Sequence, residues 1–188
     1  MDIYAIESFC DRWIEKADAY QSDELESLFD RFFTLFVAYN RFYSASAKLY
    51  RASVEPRQVM MLQGDRREAT TIMARLIGQS RFSDVVNENF AIADACKTIA
   101  ELLRSHQFFL HSVRNSEEPD FERDARLAES LDGYRLMAVL ECLYQIRCNI
   151  FHGEKEFLPR QAQLLVPAIV LLEVVVRLSR KAFREIAH

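Results

Sequence analysis

The run LYQIRCNIFHGEKE, from Leu143 to Glu156, carries the two side chains best suited to chemistry, Arg147 and His152. Histidine titrates near neutral pH and serves as general base or general acid. Arginine keeps its charge and presents a rigid fork of donors that matches phosphate oxygens. Together they suit a reaction at a phosphate, in which one group moves protons and the other steadies negative charge. Neither step needs a metal.

The spacing predicts that both residues lie on one amphipathic helix, over about 134–152, halted by Gly153. The neighbours of Arg147 at helical spacing are Leu143, Tyr144, Ile150 and Phe151, so the guanidinium sits in an apolar stripe. Burying it without a partner is costly, and something anionic or carbonyl-rich is expected to meet it. His152 belongs to a different row, with Glu141, Gln145 and Asn149. Five positions of about 100° each set the two side chains about 140° apart, so they are not automatic neighbours. They converge either because Arg147 is long and the helix stops at Gly153, or because a second protomer brings a matching pair alongside, and the geometry argues for a homodimer. The competing reading is structural: Arg147 pairs with an acidic residue or with carbonyls of its own chain, and His152 merely complements the helix C-terminus.

The elements that must position these residues are helical. Only 4 Gly and 4 Pro occur in 188 residues, 50% of them hydrophobic and 28% charged, which favours long helices over a many-turned sheet. Helical periodicity predicts helices over about 3–20, from Asp23 to Tyr50, over 65–78, 83–112 and 121–131, then the 134–152 helix, and last 160–187. Asp23 with Glu26, and Asp65 with Glu68, have the spacing of capping boxes. Pro56 and Gly64 mark breaks, and RNSEEPD (114–120) reads as a polar loop. The expected fold is an all-α antiparallel bundle of six to seven helices, one domain over residues 1–188.

A net charge of -4 excludes a globally basic nucleic-acid binder, though not a local basic patch. Cys10, Cys96, Cys142 and Cys148 form no C-x-x-C pair, and no signal sequence is evident, so reduced thiols and a cytoplasmic location are expected. QLLVPAIVLLEVVVRL (163–178) is the most apolar stretch. It is short for a span and holds Glu173 and Pro167, which predicts a core helix and no membrane role.

The R-x4-H pattern near the end of a bundle helix resembles the HEPN superfamily, and IRCNIFHGEK looks especially like members in which Gly and a polar loop follow the His. The close resemblance covers about 134–176. It implies a metal-independent endoribonuclease of toxin or defence type, often paired with a nucleotidyltransferase antitoxin. It also implies a composite site at a homodimer interface, built from Arg147 and His152 of both protomers. RNA would be cleaved through its own 2'-hydroxyl, leaving a 2',3'-cyclic phosphate, with no cofactor. Cys148 stands where many members carry a polar residue after the Arg, and Asn149 follows one later. Glu154 stands where one subgroup has the tyrosine that its antitoxin modifies, so that regulation is not implied. The alternative within the same resemblance is a non-catalytic module that binds a nucleotide, RNA or a protein partner.

Asn149, Asn40, Lys155 and Arg160 are the candidates for touching substrate or supporting the pair. Asn40 falls in an aromatic stripe, Phe29, Phe36, Tyr43 and Tyr50 at seven-residue intervals, which reads as core. Its amide is therefore expected to be buried, either orienting Arg147 or His152 or serving backbone groups alone. Lys155 and Arg160 follow the motif closely in sequence. Arg177, Arg180, Lys181 and Arg184 form one basic face that either guides an RNA backbone or is simply solvated. His106 and His111 stand five apart, not four, so no metal site is expected.

Overall fold

The computed structural model describes residues 2–55, 62–151 and 158–187, and over these the chain is all-α. The sequence landmarks Pro56, His152, Gly153, Glu154 and Lys155 lie outside the described residues.

Helix α1 (Ile3–Asp18) starts at Asp2, whose carboxylate accepts the Ala5 N–H at 3.0 Å. Helix α2 (Leu25–Ala52) is the longest, 28 residues, and carries the aromatic stripe. Phe29, Phe36 and Tyr43 are buried as their spacing predicts, and Tyr50 packs at the edge of a smaller cluster with Ala47, Leu62 and Ile72. The expected Asp23/Glu26 box does not form. The helix begins at Leu25 without a side-chain cap, because Ser22 Oγ takes the Glu24 N–H at 3.1 Å and turns the chain first.

Helix α3 spans 65–77 in three parts, an opening turn Asp65–Arg67, a π turn Glu68–Ile72 and a closing stretch Met73–Ile77. Gly64 (φ 112°) and Gly78 (φ 83°) bracket it in a backbone region that side chains avoid. The predicted Asp65/Glu68 box also fails, since both carboxylates have longer-range partners. Asp65 accepts from Tyr43 and Tyr144, and Glu68 accepts from Arg51. The π turn has a visible cause as well: the buried Tyr39 phenol donates to the Ala69 carbonyl, while Thr70 Oγ1 bonds the Arg66 carbonyl at 2.7 Å.

The single helix expected over 83–112 is instead α4 (Gln79–Glu88) and α5 (Phe90–Arg104). Asn89 leaves the helix (φ -137°, ψ 102°), and its side chain caps α5 by accepting from Ala91 N–H at 3.0 Å. After Arg104 the backbone turns through His106 (φ 57°) into a strap over 105–120, closed on itself by one bridge between Ser112 and Pro119. Helix α6 (Phe121–Asp132) is capped by Asp120, which accepts from Arg123 N–H at 3.0 Å. Gly133 marks its stop as predicted, but Tyr134 (φ 51°) adopts the left-handed backbone, so Arg135 N–H reaches back to the Ser130 carbonyl at 3.0 Å. Helix α7 (Leu136–Phe151) carries the motif, and a short 3-10 turn Pro159–Gln161 leads into α8 (Ala162–Ala187).

One cluster of buried side chains draws on all of these helices, from Ile6 on α1 through Tyr39, Met73, Phe82, Ile92, Leu127 and Leu140 to Leu172 on α8. Helix α8 lies along α2 and α5, and α1 packs on α2 next to the C-terminal part of α8. By length and composition the segment Pro159–Ala187 is apolar enough to cross a membrane, yet 67% of its most apolar window is buried inside the fold. Its Glu173 is bonded to Arg31 at 2.6 Å.

Candidate functional site

On α7 the buried residues include Leu136, Val139, Leu140, Cys142, Leu143 and Ile146, and Arg147, four after Leu143 and seven after Leu140, is half-buried in line with them. The Arg147 side chain is 24% exposed, and its Nη1 lies 3.9 Å from Asp65 Oδ2. Its guanidinium carbon sits 5.8 Å from the centroid of the Phe36 ring and 5.9 Å from that of Tyr144. Rings on two helices thus hold the cation by its faces, an arrangement that arginine tolerates better than lysine because its charge is planar and weakly hydrated. Nη1 also lies 3.8 Å from Cys148 Sγ.

Asp65 is the hub of this cluster. Tyr43 donates to its Oδ1 at 2.6 Å and Tyr144 to its Oδ2 at 3.0 Å. Both phenols are pushed above the ordinary tyrosine range, first by burial and next by the hydrogen bond to Asp65, so both remain protonated donors at neutral pH. Beside this hub, Arg66 forks onto Glu141, its Nε 3.1 Å from Oε2. That contact raises the Arg66 pKa further. Helices α3 and α7 therefore exchange two ion pairs, Asp65 with Arg147 and Arg66 with Glu141.

The other candidates fall elsewhere. Asn149 is buried, its Oδ1 accepting from Gln145 at 2.8 Å and its Nδ2 donating to the Leu110 carbonyl at 3.1 Å. It ties α7 to the strap from a buried position. Asn40 is exposed, not buried as its neighbours suggested. Phe36 and Tyr43, one turn to either side, are the residues of α2 that reach Arg147 and Asp65, while Asn40 sits next to Arg41 on the solvent edge. Arg160 is exposed in the 3-10 turn before α8. His152 and Lys155 lie outside the described residues.

Other charged groups have partners of their own within the fold. Within the basic face of α8, Arg180 pairs with Asp11 and Arg184 with Glu7, so half of that face is spent on clasping α1. Arg177 and Lys181 remain exposed. His111 is buried with its Nδ1 2.6 Å from Asp124 Oδ1, and Asp124 Oδ2 accepts the Leu110 N–H at 2.8 Å. This pair anchors the strap onto α6. His111 Nε2 is buried with no hydrogen-bond partner among the described residues. No group of three or more His, Cys, Asp or Glu placed to hold a metal ion occurs among those residues either. The thiols of Cys10 and Cys96 are pushed up to about 12 by burial, which makes them poor nucleophiles.

Sequence reasoning missed Asp65 and Phe36 as partners of Arg147, and Tyr43 as a partner of Asp65. One signal was available: Tyr39 and Tyr43, four apart in an apolar stripe, each bring a hydroxyl that needs an acceptor once buried. Nothing short-range says which acceptor. Set against family models, curated proteins and solved structures, the chain matches none of them.

Proposed function

We propose that the chain is an HEPN-like, metal-independent endoribonuclease acting as a homodimer, with Arg147 and His152 of both protomers around one scissile phosphate. The observation that carries this reading is the setting of Arg147. Its guanidinium lies over two aromatic rings at a partly open surface, near the end of the helix that precedes His152 in sequence. A cation fixed in this way is ready to meet phosphate oxygens without first being ordered, and ordering is a large part of the cost of binding.

In this reaction His152 takes the proton of the ribose 2'-hydroxyl, and the 2'-oxygen attacks phosphorus. The bond to the 5'-oxygen breaks as that oxygen receives a proton from the partner's histidine. Arg147 steadies the charge that builds on the non-bridging oxygens, an effect greatest where water is excluded. The products are a 2',3'-cyclic phosphate and a 5'-hydroxyl. The five-residue spacing of Arg147 and His152 in the sequence, about 140° on a helical wheel, supports a site shared by two protomers.

The test is incubation of the wild-type protein with a mixed-sequence RNA in excess EDTA, followed by end-group analysis. Cleavage leaving 2',3'-cyclic phosphate ends is the expected result, and intact RNA across substrates and pH would remove the enzymatic reading.

A second reading is a non-catalytic module of the same kind that binds a nucleotide, RNA or a protein such as a nucleotidyltransferase-type antitoxin. The Asp65 carboxylate favours it, because Arg147 already has an anion in front of it.

A further inference from the structure

We propose that the groove between the starts of α2, α5 and α8 is a binding site for a small apolar amine, a function separate from the ribonuclease reading and independent of it.

The groove holds about 550 Å³, within the range of sites that enclose small molecules. Its wall is apolar, with Leu28 of α2, Ala91 and Ala95 of α5, and Val166, Pro167 and Val170 of α8. Val166 is 47% exposed, and Phe90, which precedes Ala91, is 86% exposed. Apolar side chains left open around a concavity, rather than scattered singly, mark a surface that gains by being covered.

The polar groups decide what covers it. Asp23, ahead of α2, and Asp94, on the second turn of α5, bring two carboxylates to the groove, and among the described residues no Lys or Arg lines it. Pro167 adds a third acceptor. A proline has no N–H, so within α8 the Gln163 carbonyl lacks its helical donor four residues on, and Gln163 itself lines the groove. A carbonyl deprived of its donor needs one from elsewhere. The N–H groups left over at a helix start do not offset these acceptors at α5. There Asn89 accepts from Ala91 through its side chain and from Ile92 through its carbonyl, at 3.0 and 3.1 Å.

The unmet demand is therefore for a donor with positive charge. An alkylammonium group carries three donors and no acceptor, and its chain suits the apolar wall. An anion would meet like charge, and an alcohol would leave the carboxylates without a cation.

The test is titration of the isotope-labelled full chain with octylamine, octanol and octanoate at about pH 7, followed by backbone amide shifts. Saturable octylamine binding is expected, with shifts centred on Ala91, Ala95 and Val166. It should be about ten-fold tighter than octanol, with octanoate weaker still. Asp23→Asn and Asp94→Asn should each weaken octylamine about three-fold and leave octanol unchanged. Val166→Arg sits at an exposed helical position that arginine suits, and it puts both bulk and a cation in the groove. It should lower octylamine affinity about ten-fold or more. Octanol binding as tightly as octylamine would overturn the amine assignment. Shifts centred elsewhere, or unchanged binding by Val166→Arg, would overturn the site, and no saturable binding by the wild type would overturn both. RNA cleavage stands or falls separately from all of these outcomes.

Discussion

The Tyr39 phenol, on α2, donates to the Ala69 carbonyl inside the π turn of α3. Tyr39 is wholly buried, and its pKa is driven upward by that burial, so this hydroxyl serves as a donor at every pH the fold survives. The contact, beside the β-branched run Thr70, Thr71 and Ile72, accounts for a helix that widens by one residue here: a carbonyl that would have bonded along its own helix is drawn toward α2 instead. Asp65, on the preceding turn, is delivered to Tyr43, Tyr144 and Arg147 as a consequence.

Tyr39→Phe should therefore cost more than the loss of one hydroxyl from a surface. It leaves a buried carbonyl without its donor, and a loss of about 1–3 kcal/mol in unfolding free energy is expected. Urea denaturation followed by circular dichroism measures it. A change below about 0.5 kcal/mol would mean that the π turn does not depend on this bond.

A single buried carboxylate anchors the strap over 105–120 onto α6. Asp124 is fully buried and serves the Leu110 N–H and the His111 ring together. Asp124→Ala removes both at once and should destabilise the protein by about 3 kcal/mol. The more specific expectation is local. Amide hydrogen exchange should rise first in the strap and at the end of α7, where Asn149 holds the Leu110 carbonyl at 3.1 Å. Uniform loss of protection would contradict a local anchor.

Alkaline pH should weaken the fold through its buried thiols. Cys10 and Cys96 move from a reference of 9.0 to about 12 in the folded state, because burial penalises the thiolate. A folded pKa above the unfolded one contributes stability that is complete below pH 9 and is lost as pH climbs toward 12. Each thiol should remove about 1.4 kcal/mol per pH unit across that window. Thermal or urea unfolding between pH 8 and 10.5 measures the slope in the wild type and in Cys10→Ala/Cys96→Ala. The double variant starts lower from lost packing but should show the flatter curve; parallel curves would contradict the assignment.

Much of this fold is legible in the chain, and the limits have physical causes. The stripe Phe29, Phe36, Tyr43 follows directly from helical period, because burial repeats with the backbone. Gly78 and Gly133 stop helices where they are expected, since punctuation by glycine is local. Asn89 escapes notice because an apolar rhythm continues on either side of it, and only the cap reveals that α4 and α5 are separate. Asp65 escapes for a deeper reason. Its sequence neighbourhood spells a helix cap, while its actual partners stand 22 and 79 residues away. Asn40 shows the reverse error: a polar residue in an apolar run is not buried by its neighbours when the helix turns it past the edge of the stripe. At the site itself, the chain identified Arg147 as unusual and expected an acceptor opposite it. Which acceptor depends on how α2, α3 and α7 pack.

The most direct measurement is cleavage of a mixed-sequence RNA in excess EDTA by wild type, Arg147→Ala and His152→Ala, each with helical content verified and under single-turnover conditions. Cleavage by the wild type and its loss by about a hundred-fold or more in both folded variants is the result expected if chemistry rests on this pair. Wild-type cleavage that persists in either variant would contradict the assignment of Arg147 and His152 as the reacting groups.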